Sequence, residues 1–151
     1  MSQAFSLQPL LELMQTRTDE ASRKLGQLIA NEQNAKSRLQ MLEDYRAEYA
    51  DKLRESITQG MTRQTLANYQ EFLGRIDEAI TQQTAAVRQS EANTSHGQQH
   101  WKEQNTRLKA IDTLSIRHDA KERLREGKME QKLQDEYSAR KFATAPKPEN
   151  D

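Results

Sequence analysis

Apolar residues recur along most of this chain at spacings that alternate between three and four. The first such stretch selects thirteen positions, ten of them apolar: Leu11, Met14, Thr18, Ala21, Leu25, Leu28, Glu32, Ala35, Leu39, Leu42, Arg46, Tyr49 and Leu53. A second stretch selects fourteen positions, nine of them apolar: Leu66, Tyr69, Leu73, Ile76, Ile80, Gln83, Val87, Ser90, Thr94, Gly97, Trp101, Gln104, Leu108 and Ile111. This spacing is typical of the seam of a left-handed coiled coil, so each stretch predicts one long helix.

The segment between the two stretches favours a turn. Gly60 can adopt the left-handed conformation that ends a helix, and Thr62 can accept a hydrogen bond from the first free N–H groups of the next helix. The sequence therefore predicts an all-α fold, a long antiparallel two-helix coiled-coil hairpin, made by a single domain of residues 1–151. We expect helices over about 9–58 and 63–140, a turn over about 59–62 and a disordered tail over about 145–151.

Two features weaken the predicted seam. Thr18, Glu32 and Arg46 occupy seam positions where burial costs energy unless the side chain reaches solvent or a partner. Residues 90–97 are rich in poor helix formers, including Gly97. We expect the second helix to be locally loose there, and a break into two helices is the alternative.

The second helix is predicted to extend beyond the end of the first. If the chain turns near Gly60, residues equally far before and after it face each other, so Pro9 faces about Ile111. At about 1.5 Å per residue, residues 112–140 then form an overhang of about 40 Å. A lone helix with a narrow apolar stripe is not stabilised by propensity alone, so the overhang predicts a partner protein. The stripe consists of Leu114, Ile116, Leu124, Met129, Leu133 and Tyr137.

Two aromatic residues near the turn lie outside the seam. Tyr45 precedes the seam residue Arg46 and Phe72 precedes Leu73, and the same pairing rule brings the two rings together across the hairpin. They widen the apolar surface beyond what two helices bury between them. A seam that covers each side chain is the alternative, but clustered aromatics are typical of a binding surface. This predicted aromatic patch consists of Leu42, Tyr45, Tyr49, Phe72, Ile76 and Ala79.

Composition excludes several classes of protein. The chain has 34% hydrophobic and 30% charged residues, too little apolar material for a compact globular core but enough for a seam. Its 23 Lys and Arg balance 23 Asp and Glu, so we expect no nucleic-acid partner. No apolar run approaches the roughly 18 residues of a membrane span, and no signal peptide is recognisable, so we expect a cytoplasmic protein without direct membrane insertion.

Candidate chemistry is sparse. The absence of cysteine excludes thiolate chemistry, and neither a serine elbow, a phosphate-cradling loop nor an HExxH motif occurs. His96, His100 and Glu103 share one helical face and could ligate a metal, but a solvated helix surface is the favoured interpretation. The same holds for the basic run over residues 117–128, where acidic residues are interleaved. We therefore expect no catalytic residues, no metal and no cofactor.

Four short motifs occur in a fixed order along the two helices. They are LxxYxxxY at 42–49, YQxF at 69–72, WxE at 101–103 and MxQK at 129–132. In this order and spacing they resemble the FliJ family of the bacterial flagellar type III export apparatus, over most of the chain beyond about residue 20. The chain departs from the family pattern at Arg38 and Gln83, where that pattern has Gln and His.

The resemblance implies a fold and a set of partners. The family is described as a two-helix coiled coil similar to the stalk of the rotary ATP synthase γ subunit, which associates with the hexameric flagellar export ATPase and promotes its assembly. It also binds the cytoplasmic region of the FlhA export gate, at the cytoplasmic face of the inner membrane, and interacts with flagellar export chaperones. By position, the gate-binding role falls on Leu42, Tyr45, Tyr49, Phe72, Ile76 and Ala79, and the helix termini with the overhang would enter the ATPase ring.

Two other functions are compatible with a helical hairpin. A passive coiled-coil adaptor or chaperone would only hold export substrates. The equivalent stalk of a virulence type III secretion system would share the hairpin but lack the aromatic motifs. An enzyme is the least expected class.

Overall fold

Two long helices make up nearly all of the described chain. The structure is a computed structural model that describes residues 3–144. Helix α1 spans Gln8–Gln59 and helix α2 spans Arg63–Thr144, with no strand between residues 3 and 144. The prediction of an all-α helical hairpin is confirmed. The predicted tail, 145–151, lies outside the described residues.

The chain divides into two compact units, and each is described separately. The hairpin unit is Thr18–Gln104, and the terminal unit combines Met1–Arg17 with Asn105–Asp151. The single domain expected from the sequence stays a prediction.

The hairpin unit is held by the predicted seam. Every seam position in it is buried or partly buried, and Ile76 and Val87 are only 5% and 8% exposed. Contacts run in antiparallel order, from Tyr49 against Tyr69 near the turn to Thr94 against Leu28 far from it. The alternating spacing of three and four therefore located the buried face correctly in both helices.

The turn uses the two residues predicted for it. Gly60 has a φ of 93°, the left-handed region that side chains disfavour, and its N–H donates to the carbonyl of Ile57 at 3.1 Å. Thr62 Oγ1 accepts a hydrogen bond from the N–H of Thr65 at 3.2 Å, which caps the start of α2.

Helix α2 is continuous through residues 90–97, so the alternative of a break into two helices is wrong, while the local loosening stays a prediction. A Cβ built on Gly97 would lie 2.6 Å from Leu28 Cδ1 and 4.0 Å from the Cα of Leu25, so the two helices approach closely there. Thr94 is 7% exposed and donates its hydroxyl to the carbonyl of Leu28 at 3.3 Å. Residues that weaken an isolated helix thus allow close packing here, and that packing offsets their low propensity.

The charged seam residues have partners, as their positions require. The seam residue Glu32 pairs with Lys36, whose Nζ lies 3.7 Å from Glu32 Oε2. The same Nζ lies 3.8 Å from Oε1 of Glu91 on the other helix. Arg46 Nε and Nη2 donate to the two carboxylate oxygens of Asp77, the second at 3.3 Å. This hydrogen bond lowers the pKa of the Asp77 carboxyl and raises the pKa of Arg46. The Arg46–Asp77 pair therefore links the helices while Asp77 is ionised.

We expect Asp77→Asn to lower the free energy of unfolding at neutral pH and to have little effect in strong acid. Because the folded-state pKa of Asp77 is lowered, the stabilisation is fully present above the unfolded-state value of about 3.8 and disappears as the pH falls through the folded-state pKa. Both side chains are about half exposed, so the effect is modest and weakens with added salt. Urea unfolding of both proteins across neutral and acidic pH measures the difference. A difference that does not change with pH would contradict this assignment.

The terminal unit differs from the prediction near the start of the chain. Leu11 and Met14 are buried as predicted, at 6% and 5% exposure. Residues 112–122 were predicted to lack a partner, but the segment before α1 covers them in part. The Phe5 ring lies 5.5 Å from the His118 ring, and His118 Nε2 donates to the carbonyl of Gln3 at 2.9 Å. The pairing rule applies only to residues in the two helices, so it could not predict a contact made by residues before α1.

Candidate functional site

Four aromatic rings form a cluster near the turn of the hairpin unit. Tyr49 lies at its centre, with its ring 4.6 Å from Phe72, 5.0 Å from Tyr69 and 6.3 Å from Tyr45. Tyr45 and Phe72 meet edge to face at 6.2 Å, so the predicted contact across the hairpin is present. Burial among these rings raises the pKa of the Tyr49 phenol. Since such ring pairs prefer fixed geometries, the cluster presents a preorganised surface.

A shallow groove of about 560 Å³ adjoins the cluster. Tyr45 forms part of its wall with 48% of its surface exposed, and Met41, which is 69% exposed, forms another part. Charged and amide side chains and one leucine complete the wall. The remaining lining residues are Arg38, Leu42, Asp44, Glu48 and Gln83. A groove of this kind, apolar with a polar rim, can hold an apolar side chain of a partner protein.

The terminal unit presents a second accessible surface. Every residue from 123 to 144 is exposed, and we call this part of α2 the exposed arm. It carries large apolar side chains in water, with Leu133 63% and Tyr137 68% exposed. A basic stripe begins just before the arm and runs along one of its faces, with Lys121, Arg125, Lys128 and Lys132 at spacings of four, three and four.

The residues of the metal site considered from the sequence lie on the surface of α2. His96, His100 and Glu103 are all exposed on α2. Within residues 3–144, no group of three or more His, Cys, Asp or Glu is placed to hold a metal ion. No helix among the same residues is long and apolar enough to cross a membrane.

Comparison with known proteins identifies the family. The family described as "Flagellar FliJ protein" matches residues 2–147. The chain is similar to the flagellar FliJ protein of Salmonella typhi, with 34% identity over 149 residues that make up 99% of this chain and 100% of the relative. It is similar to the flagellar FliJ protein of Escherichia coli K12 to 32% over the same extent. The chain belongs to the FliJ family.

Membership of the FliJ family decides between the apparatuses considered. It makes this chain a flagellar protein and a component of the flagellar export apparatus. The chain is therefore not assigned to a virulence type III secretion system. The resemblance of the four motifs to the FliJ family is confirmed.

The structure brings together most, but not all, of the aromatic patch of this FliJ chain at the surface. Tyr45 is about half exposed, and the partly buried rings of Tyr49 and Phe72 lie beside it. Ala79 is also partly buried. Leu42 is partly buried too and lines the groove. In contrast, Ile76 is only 5% exposed, because it occupies the seam between the helices. Ile76 thus offers little surface to a partner, and its gate-binding role stays a prediction.

One accessible apolar residue was missing from the predicted patch. Met41 lies four residues before Tyr45 on α1, so the two side chains share a face. Met41 could have been predicted to be accessible, because it lies outside the seam and directly precedes the seam residue Leu42. The groove also contains Arg38 and Gln83, and Gln83 Nε2 donates to the carbonyl of Ala35 at 3.0 Å.

Proposed function

We propose that this FliJ chain is a non-enzymatic coupling stalk of the flagellar export apparatus. It promotes assembly and activity of the hexameric export ATPase and connects that ATPase to the FlhA export gate. The observation that carries the proposal is a partly exposed aromatic patch, with an adjoining groove, on a chain that matches the FliJ family along nearly its whole length. The protein acts in the cytoplasm and is peripheral at the cytoplasmic face of the inner membrane.

The aromatic patch is the surface proposed to bind the cytoplasmic region of FlhA. Tyr45 supplies a large side chain that is half exposed yet fixed by its contacts with Tyr49 and Phe72. A side chain already held in place loses little conformational entropy on binding, which makes it an efficient anchor. The groove beside it offers a place for an apolar side chain of the gate.

The exposed arm is the surface proposed to bind the export ATPase. Its apolar side chains are exposed over more than twenty residues of α2, a length that needs a partner to bury it. Entry of this end into the ATPase ring would resemble the way the γ subunit stalk enters the rotary ATP synthase. Flagellar export chaperones are further proposed partners.

Two separate surfaces favour a coupling protein over a passive adaptor. An adaptor that only holds export substrates needs one binding surface. The described residues offer a patch in the hairpin unit and an arm in the terminal unit, and the two have different chemistry, one aromatic and one mixed basic and apolar.

A bridging experiment tests this proposal. Immobilised export ATPase is incubated with the cytoplasmic region of FlhA, with and without the full-length chain, and retained FlhA is measured. We expect the chain to increase FlhA retention in a dose-dependent manner, with a decline at excess chain when each partner becomes separately saturated. Retention that does not depend on the chain would exclude a bridging role.

A further inference from the structure

The face of α2 that the N-terminal segment covers continues, uncovered, into the exposed arm. Helical residues three or four apart share a face. Ser115, His118 and Glu122 lie on the covered face and are partly buried. The same face continues at matching spacings in a row that is exposed throughout: Glu126, Met129, Leu133, Tyr137 and Arg140. The contact between the N-terminal segment and α2 therefore ends at Glu122, whereas the row of residues on this face of α2 continues beyond it.

This row is symmetric about Leu133. Met129 and Tyr137 lie four residues before and after it, and Glu126 and Arg140 lie seven residues before and after it. The centre is apolar, and the two ends carry opposite charges. A helix with such a face is complementary to a second copy of itself that runs in the opposite direction.

We propose that the exposed arm forms an antiparallel homodimer in the free protein, with Leu133 of one copy against Leu133 of the other. In this pairing Met129 packs against Tyr137 of the second copy, and Glu126 forms an ion pair with Arg140 of the second copy. Each contact occurs twice, as twofold symmetry requires. A parallel pairing is disfavoured because it places Glu126 beside Glu126 and Arg140 beside Arg140.

The size of the interface predicts a weak, transient dimer. The paired row extends over residues 126–140, about 21 Å of helix at about 1.5 Å per residue. One helix face of this length buries less than the roughly 1,200 Å² of total area that stable complexes exceed. The dimer therefore forms at high protein concentration and leaves the arm available to other partners on dilution. This interface does not depend on the proposed coupling function.

The absence of native cysteine makes a clean crosslinking test possible. In full-length Leu133→Cys, the introduced thiols of two copies lie together at the twofold axis, within the narrow distance that a disulfide needs. Gln131→Cys is the matched control, because residue 131 lies on the opposite face of the same turn of helix. Under mild oxidation we expect roughly tenfold more covalent dimer from Leu133→Cys than from Gln131→Cys. Equal yields from the two proteins, or none from either, would overturn the proposal.

A charge exchange tests the direction and register of the pair. In the Leu133→Cys background, Glu126→Arg places like charges together at both ends and should reduce the yield of covalent dimer. Adding Arg140→Glu restores opposite charges and should restore the yield. Circular dichroism of each variant shows whether its helices are retained. A second substitution that fails to restore crosslinking in a folded protein would also overturn the proposal.

Discussion

Replacing Tyr45 and Phe72 together by alanine is expected to abolish binding to the cytoplasmic region of FlhA. The two rings meet edge to face beside the groove, so the double substitution removes two anchors from the aromatic patch. Loss of two anchors at about 2 kcal/mol each corresponds to about a thousandfold loss of affinity. Isothermal titration calorimetry with the FlhA cytoplasmic region measures the affinity of each variant.

The chain offers a matched control for this double substitution. Tyr137→Ala with Phe142→Ala also removes two aromatic side chains, but from the exposed arm, where they are 68% and 87% exposed. We expect the control to bind FlhA normally, and the patch variant to retain its helix content and its stimulation of the ATPase. A patch variant that loses helix content would instead show that Tyr45 and Phe72 are core residues.

Gly97→Leu is expected to destabilise the hairpin unit by about 2 kcal/mol. A Cβ at this position would already lie 2.6 Å from Leu28 Cδ1 and 3.5 Å from Leu25 Cδ1, so a longer side chain has to displace these leucine side chains of α1. Overpacking of this kind costs about 1–3 kcal/mol, which exceeds the gain of less than about 1 kcal/mol in helix propensity. Urea unfolding followed by circular dichroism measures the change.

The same substitution at a different glycine separates packing from propensity. A Cβ at Gly26 meets nothing within 4 Å, so Gly26→Leu should stabilise the protein by up to about 1 kcal/mol. Leu28→Ala opens space beside Gly97, so combining it with Gly97→Leu should cost less than the sum of the two single changes. Strict additivity would mean that Leu28 is not the side chain that limits position 97.

The fold could be predicted because a two-helix seam depends on one periodicity. The spacing of three and four from Leu11 to Leu53 and from Leu66 to Ile111 specifies which face of each helix is buried, and Gly60 specifies where the chain turns. Two local features could not be derived this way. Propensity marked Gly97 as a weak point, whereas the close approach of the two helices there depends on tertiary packing. The contact of Phe5 with His118 involves residues before the helix, where periodicity carries no information.

The candidate site was predictable to a similar extent. Tyr45 and Phe72 lie next to seam positions, and the pairing rule placed their rings together, as the structure shows. The pairing rule does not distinguish exposed side chains from buried ones, so Ile76 was assigned to the patch although the seam buries it. Exposure of Met41 depends on how far the neighbouring side chains extend, which spacing alone does not determine.

The measurement that tests the coupling role most directly is ATP hydrolysis by the flagellar export ATPase titrated with this protein. We expect the rate to rise and to saturate near one chain per ATPase hexamer, with ring formation visible at the same ratio. A chain that ends at Glu122 lacks the exposed arm and is expected to give little stimulation while keeping its affinity for FlhA. A hydrolysis rate and a ring population that stay unchanged with the full-length chain would contradict the stalk role and leave the aromatic patch as the functional surface.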